Sequence, residues 1–295
     1  MGNGDAVITM SDERICAITG SNGYVGSSIK NYFAANGWGI YELTRRPAPN
    51  TRAAQFQLGD DVSPQLLSGM AALVHCAYDF NLRRREEIRA VNVEGSRKIL
   101  EAAHAAKIPK IIFISSISAF DGCRSLYGRA KLEIEKIALD CGALVIRPGL
   151  VYGNDPGGMF GKLAAQVRKS SVIPMIGDGS QIQFLVHNED LSAFVEKYAA
   201  GKIETAPQIL TAANEQPWTF KQLLLEIARA QNKRIKFIPL PWRLVWLGLK
   251  SAEVCGLKLK FRSDSVVSLM YQNPSPDFSA NSKAGLVCRP FSIRQ

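Results

Sequence analysis

The chain has 295 residues, 46% of them apolar and 21% charged, with a net charge of +10. That balance excludes a disordered or fibrous chain and is enough for one large α/β domain, or one domain with a smaller partner lobe. The basic residues form small groups at Arg45-Arg46, Arg83-Arg84-Arg85, Arg168-Lys169 and Lys258 to Arg262, either solvated surface or attraction to small anionic ligands.

No basic tail or nucleic-acid motif is present, and no apolar stretch reaches membrane-spanning length. Met1 to Arg14 is polar and acidic, unlike a signal peptide. Six cysteines are scattered without a Cys-x-x-Cys pair, and the three histidines lack metal-ligand spacing, so no metal is expected. This pattern predicts a reducing, cytoplasmic compartment.

In chain order, Ile15 to Ile18 predicts a strand, followed by the turn Thr19-Gly20-Ser21-Asn22-Gly23-Tyr24-Val25-Gly26 and a helix from Tyr24 to Ala35. A strand, a glycine-rich turn and a helix form a dinucleotide-phosphate site. Gly20 permits the tight turn, Gly23 allows close approach of a pyrophosphate, and Gly26 allows the helix to pack on the strand. The free N–H groups of Tyr24 and Val25 then face the phosphates. A second strand, Gly39 to Leu43, ends in Thr44-Arg45-Arg46. An acidic residue there would bond a ribose hydroxyl, whereas Arg45 and Arg46 suit a ribose 2′-phosphate and point to NADP(H) over NAD(H).

Ala53 to Leu58 predicts a third strand. After it, Asp60 and Asp61 either meet the adenine amino group or serve as a loop before the helix started by Ser63-Pro64. Ala72 to Cys76 is the fourth strand, and Cys76, Ala77 and Tyr78 at its carboxyl end are expected to face the cofactor. His75 is read as a satisfied core residue. Glu86 to Ala106 predicts one long amphipathic helix, in which Asn92 needs a specific bonding partner. Lys110 to Ser115 is the fifth strand, with Ser116 and Ser118 just past its end. A helix follows from about Tyr127 to Cys141, and Ala143 to Arg147 is the sixth strand, closed by Pro148-Gly149.

Six strands alternating with helices predict an α/β fold with a doubly wound parallel sheet over 1–156, and a smaller C-terminal substrate lobe over 157–295 from which 182–211 returns to the sheet. In that second half, strands are predicted at Ile182 to Val186, Gln208 to Thr211 and Ile235 to Ile238, and helices from Glu189, Thr219 and Trp242. Trp242 to Leu249, edged by Arg243 and Lys250, is expected to pack as an amphipathic helix rather than lie on a membrane or a partner.

Tyr127 and Lys131, at i and i+4, share a helix face. An ammonium beside a phenol lowers the phenol's pKa, which suits proton exchange with a substrate oxygen. A serine from a neighbouring strand end can hold the same oxygen.

Together these motifs resemble the extended short-chain dehydrogenase/reductases of the NAD(P)-dependent epimerase/dehydratase family, over nearly the whole chain. The resemblance rests on Thr19 to Gly26, Gly59-Asp60, His75-Cys76-Ala77, Asn92-Val93-x-Gly95, Ser115-Ser116, Tyr127-x-x-x-Lys131 and Arg147-Pro148-Gly149-x-Val151-Tyr152-Gly153. Gly177-Asp178-Gly179 and Val186-His187-x-x-Asp190-Leu191 extend it. It implies a Rossmann sheet and an enzyme in which Ser116 polarises the substrate carbonyl or hydroxyl. Tyr127 is then the general acid/base, and Lys131 binds the nicotinamide ribose and tunes Tyr127.

It further implies that Gly20, Asn22, Gly23, Tyr24, Val25, Gly26, Arg45, Arg46, Asp60, Asp61, Cys76, Ala77, Tyr78, Asn92, Lys131 and Pro148 line the cofactor. Ser118, Gln183 and Arg262 would meet the substrate. Three departures stand out. The Ser116–Tyr127 interval is short, Gln183 replaces an arginine of several sugar epimerases, and Thr44-Arg45 replaces the acidic ribose partner.

The expected activity is therefore NADP(H)-dependent reduction of a keto group on a nucleotide-activated sugar, since Phe261-Arg262-Ser263-Asp264 resembles a diphosphate clamp. The alternatives are a nucleotide-sugar 4-epimerase with retained cofactor and a dihydroflavonol- or 3β-hydroxysteroid-type ketone reductase. Intact Ser116, Tyr127 and Lys131 argue against a non-catalytic NADP-binding regulator. The family habit implies a homodimer through the helix of Glu86 to Ala106 and the helix bearing Tyr127.

Overall fold

The computed structural model describes residues 14–293 except 50, 156, 204–206, 258 and 260. Most of the polar N-terminal stretch and part of the Lys258 to Arg262 cluster lie outside the described residues. In chain order the first elements are β1 (Ile15–Thr19), α1 (Tyr24–Ala35), β2 (Gly39–Thr44), β3 (Ala53–Gln55), β4 (Ala72–His75), α2 (Arg85–Ile88) and α3 (Glu94–Ala105). There follow β5 (Lys110–Ile114), α4 (Leu126–Asp140), β6 (Leu144–Pro148), β7 (Leu150–Tyr152), α5 (Gly158–Lys169), β8 (Val172–Ile176), β9 (Ile182–Gln183) and β10 (Leu185–His187). The remainder is α6 (Asn188–Ala199), β11 (Ile209–Ala212), β12 (Trp218–Thr219), α7 (Phe220–Ala230), β13 (Lys236–Leu240), α8 (Trp242–Val254), α9 (Ser263–Met270) and α10 (Ser279–Lys283).

Seven strands form a parallel sheet in the order β11-β6-β5-β4-β1-β2-β3. The chain walks outward from β1 through β2 and β3, then returns to β4 on the other side of β1. The carboxyl ends of β1 and β4 therefore flank the switch point, where such sheets hold ligands. Side chains alternate along each strand, so the sheet has two cores. In β5, Ile111 and Phe113 join a core with Ile99, Leu100, Ile134 and Ile137 of α3 and α4. Ile112 and Ile114 join the opposite core, with Ile29 and Phe33 of α1 and Leu191, Phe194 and Val195 of α6. A third cluster, with Phe160, Val167, Leu223, Ile227 and Phe291, holds α5 and α7 together beyond the sheet.

Three expectations differ from the structure. The single strand predicted at Ile182 to Val186 is two. β9 pairs antiparallel with β12 and β10 parallel with β7, and the break falls at Phe184, whose carbonyl accepts the Leu150 amide at 2.8 Å. The helix predicted from Glu86 to Ala106 is interrupted, because Arg89–Val93 forms a π-helical turn between α2 and α3. The third strand stops at Gln55 rather than Leu58. α8 packs its inner side toward α9, with Trp242 edge-on to Tyr271 at 5.9 Å, as expected, although none of its residues is fully buried.

Candidate active site

The glycine-rich turn carries the conformations its sequence demands. Gly20 has φ +69°, and a Cβ there would stand 2.8 Å from the Ala77 amide nitrogen, so the turn lies against the chain leaving β4. Gly26 faces the carbonyl of Gly20, which a Cβ would strike. Its task is to seat α1 on the turn itself, more than on the strand. Gly23 is the N-cap of α1 without a side-chain cap, which leaves the N–H groups of the first turn available. The Ser21 hydroxyl is buried without a partner. A cradle closed to any Cβ, open amides at a helix start and an orphan hydroxyl fit a dinucleotide pyrophosphate.

Around this cradle the predicted contacts divide. Asn22 donates to the Thr44 hydroxyl at 3.0 Å, tying the turn to the end of β2, so Thr44 positions the loop. Arg45 and Arg46 are exposed and pair with no acid among the described residues. Tyr24 lies against Gly157 and Gly158 at the start of α5. Asp60 accepts the Gln57 amide at 2.9 Å within its own loop, and Asp61 pairs with Lys98 at 2.7 Å, so both carboxylates already have partners.

His75 is the core residue the sequence suggests. Its ring bonds Thr19 at 2.7 Å and Ser96 at 2.8 Å, joining β1, β4 and α3. Burial, and after it the Lys131 charge, pushes its pKa down to about 3, so the ring is neutral. Thr19 also accepts the amides of Cys76 and Ala77, which fixes the chain at the switch point.

Asn92, called as a cofactor contact, has both ends of its amide on one backbone unit. It accepts the Asp79 amide at 2.7 Å and donates to the Asp79 carbonyl at 3.2 Å. The π-turn aims it there. Asn92 thus fixes the loop carrying Tyr78 and Phe80.

Ser116 lies just past β5, facing Tyr127 near the start of α4, and Lys131 follows one turn along the same helix. The Ser116 hydroxyl stands near enough to the Tyr127 phenol to draw its pKa down. Tyr127 packs edge-on to Tyr78, with ring centroids 5.1 Å apart, and against Phe80 at 5.6 Å. This aromatic surround pushes the phenol up to about 12 through burial, with the Ser116 hydroxyl drawing it back. Here the structure corrects the expectation that Lys131 lowers Tyr127. The Lys131 ammonium donates to the Ile114 carbonyl at 2.8 Å and lies over Phe113 at 4.6 Å and Tyr78 at 5.2 Å. Burial brings Lys131 itself down to about 8.

Three positioning residues escaped the sequence reading. Asp264, at the start of α9, accepts the amides of Leu126 at 2.7 Å and Tyr127 at 3.1 Å, capping α4 from another part of the chain. Ser125 caps the same helix by accepting the Gly128 amide at 3.1 Å. Glu135, buried on α4, takes Arg147 in two bonds of 2.9 and 2.6 Å and the Ser115 hydroxyl at 2.5 Å, locking α4 to β5 and β6. Only Ser125 had a local signal, a hydroxyl directly before the helix.

Of the predicted substrate residues, Ser118 and Gln183 line one small cavity with Ile117, Leu150, Phe184 and Gln272. Arg262 is apart from them. It donates to the Phe80 carbonyl at 3.0 Å and leaves its Nε buried without a partner. Pro148 closes β6, its carbonyl accepting the Ile117 amide at 2.9 Å beside Ser116. A larger cavity of about 450 Å³, near His104 and Ile111, lies at the amino end of β5, away from this chemistry.

Among known proteins, the chain is 30% identical over 246 residues to the ceramide reductase of Caulobacter vibrioides, covering 77% of this chain and 74% of the relative. It is 25% identical over 232 residues to a 3 beta-hydroxysteroid dehydrogenase/Delta 5→4-isomerase of Mycobacterium tuberculosis, covering 64% and 62% of the two chains. In structure it resembles MoeE5 in complex with UDP-glucuronic acid and NAD, with TM-score 0.71 and 18% identity over 94% of both chains, a likeness of fold. The model of the NAD dependent epimerase/dehydratase family matches residues 16–206. With the glycine cradle at the switch point and the serine, tyrosine and lysine assembled beside it, the chain belongs to this family of NAD(P)-dependent enzymes.

Proposed function

We infer that the protein is an NADP(H)-dependent reductase of a carbonyl carbon in an apolar, lipid-like substrate. The carrying observation is the surround of Tyr127. Tyr78 and Phe80 pack on its ring, Phe80 is largely exposed, and Arg262 is turned onto the Phe80 carbonyl. An aromatic mouth favours an apolar substrate over a diphosphate. The ceramide and steroid enzymes among the relatives support the same class.

In this reading the glycine turn and the first amides of α1 hold the pyrophosphate, and Arg45 and Arg46 meet a ribose 2′-phosphate. Bound NADPH supplies the hydride. Ser116 donates to the substrate oxygen and polarises the carbonyl. Tyr127 stays protonated at neutral pH, because burial holds its phenol near 12, and delivers its proton to that oxygen as the carbon is reduced. Tyr78 and Phe80 exclude water from the transfer.

A nucleotide sugar is the second reading. It is favoured by the Arg262 Nε, buried and unpaired, which a phosphate oxygen could satisfy. NADPH consumption with a long-chain aliphatic ketone, a 3-ketosteroid and a UDP-4-keto-hexose separates the two. Turnover of the apolar ketones, lost by about a hundredfold or more in Tyr127→Phe, is expected. Turnover of the sugar alone overturns the reading. Tighter binding of NAD than NADP would remove the role given to Arg45 and Arg46. A homodimer through α3 and α4 completes the reading, and the solution mass tests it.

A further inference from the structure

α8 is apolar on both faces. Its inner side carries Trp242, Val245, Trp246 and Leu249, all half-buried. Its outer side carries Leu244, Leu247 and Val254, which are 65%, 54% and 78% exposed. Positions 244, 247, 251 and 254 follow the three-to-four-residue step of one helix face, so these side chains form a stripe. Arg243 and Lys250, seven residues apart, run along one edge of it, both exposed. A helix apolar all round is ordinarily buried, yet no residue of α8 is.

The apolar surface continues toward the active site. Leu257 is 56% exposed, and Leu259 and Phe261 are also outside the core. Arg83 holds this segment by donating to the carbonyls of Leu257 at 2.7 Å and Leu259 at 3.3 Å, and Arg262 donates to Phe80. The segment therefore borders the loop whose Phe80 packs on Tyr127. Leu244, Leu247, Val254, Leu257, Leu259 and Phe261 are all exposed, and exposed apolar side chains grouped in this way mark an interaction surface.

Charge selects the occupant. Between Lys233 and Arg262 the sequence carries eight basic residues, at 233, 234, 236, 243, 250, 258, 260 and 262, and one acid, Glu253. Glu253 is already engaged by the amide and hydroxyl of Ser263, at 2.9 and 2.7 Å. An apolar stripe edged by cations, within a basic stretch, is complementary to an anionic bilayer, where the stripe enters the headgroup layer and the cations meet phosphates. A second copy of the chain would bring the same cations against each other.

We propose that α8, with the exposed Leu257, Leu259 and Phe261 beyond it, docks the protein on an anionic membrane surface, which sets the mouth beside Tyr127 at the lipid boundary. The surface stands apart from the reaction, so its failure leaves the reductase reading untouched. Flotation of the full chain, without substrate, on phosphatidylcholine vesicles with and without phosphatidylglycerol tests it. The parent is expected to float with the phosphatidylglycerol vesicles. Leu244→Glu combined with Leu247→Glu, and separately Arg243→Glu combined with Lys250→Glu, should each lose about tenfold or more of that binding, with cooperative melting and NADP binding kept. A parent that stays soluble with both vesicles, or a Leu244/Leu247 variant that floats as the parent does, overturns the proposal. So does a parent dimer that this variant converts to monomer without any vesicle binding.

Discussion

Asp264→Ala isolates the contribution of a distant side chain to α4, the helix that carries Tyr127. At the start of α4, three of the four amides that lack helical partners are satisfied by two side chains. Asp264 takes Leu126 and Tyr127, and Ser125 takes Gly128. Alanine leaves the first two amides to solvent and removes a negative charge from the positive end of the helix dipole. Each of the two carboxylate bonds to an amide contributes on the order of 1.5 kcal/mol and the dipole interaction about 0.5, and the partial exposure of Asp264 discounts them, so the loss is about 2 kcal/mol. For a chain of this size that lowers the melting temperature by about 5 °C. Because Tyr127 is one of the two residues released, its phenol shifts from Ser116, and kcat should fall about tenfold or more while the Kd for NADP changes little. Asp264→Asn keeps one acceptor and should recover roughly half of the stability. Scanning calorimetry and steady-state kinetics on the three proteins give the answer. An Asp264→Ala protein with the parent's melting temperature and kcat would show that α4 holds Tyr127 without help from α9.

Glu135→Ala strands Arg147 beside a buried site and should cost about 3 kcal/mol in urea denaturation, with Glu135→Gln costing less. Gly26→Ala places a Cβ on the Gly20 carbonyl, which must distort the phosphate turn. NADP affinity measured by calorimetry should drop by about tenfold or more, while a similar drop at exposed Gly37 is not expected. His75 gives a pH signature. Its folded pKa of about 3 lies below the ordinary 6.5, so the unfolded chain binds the extra proton between those values. Its contribution is complete above pH 6.5 and is lost as pH falls toward 3, by about 1.4 kcal/mol per pH unit, a slope that His75→Gln should flatten in denaturant titrations at stepped pH.

The doubly wound sheet was legible because its signals are local. Buried runs such as Ile111 to Ile114 and the turn from Thr19 to Gly26 announce themselves within a few residues. The candidate trio was legible because Tyr127 and Lys131 sit one helical turn apart and Ser116 follows a strand. What the sequence hid was long-range. Asp264 reaches α4 across 137 residues, and nothing near it in sequence indicates that target. Arg262 reads as a phosphate clamp until the fold brings the Phe80 carbonyl to it. Trp242 to Leu249 has an apolar pattern that fits a packed helix equally well, since a pattern does not say whether a neighbour exists to cover its second face.

The π-turn at Arg89–Val93 sets the angular phase of everything before α3. One residue of helix is about 100° of rotation, so the extra residue turns Arg85–Ile88 by that amount relative to an unbroken helix. Deleting Ala90 would let the helix close into regular α form, but Asn92 could then meet Asp79 only if α2 swung by roughly a quarter-turn. The loop bearing Tyr78 and Phe80 would lose its alignment with Tyr127 without any change to a residue that touches it.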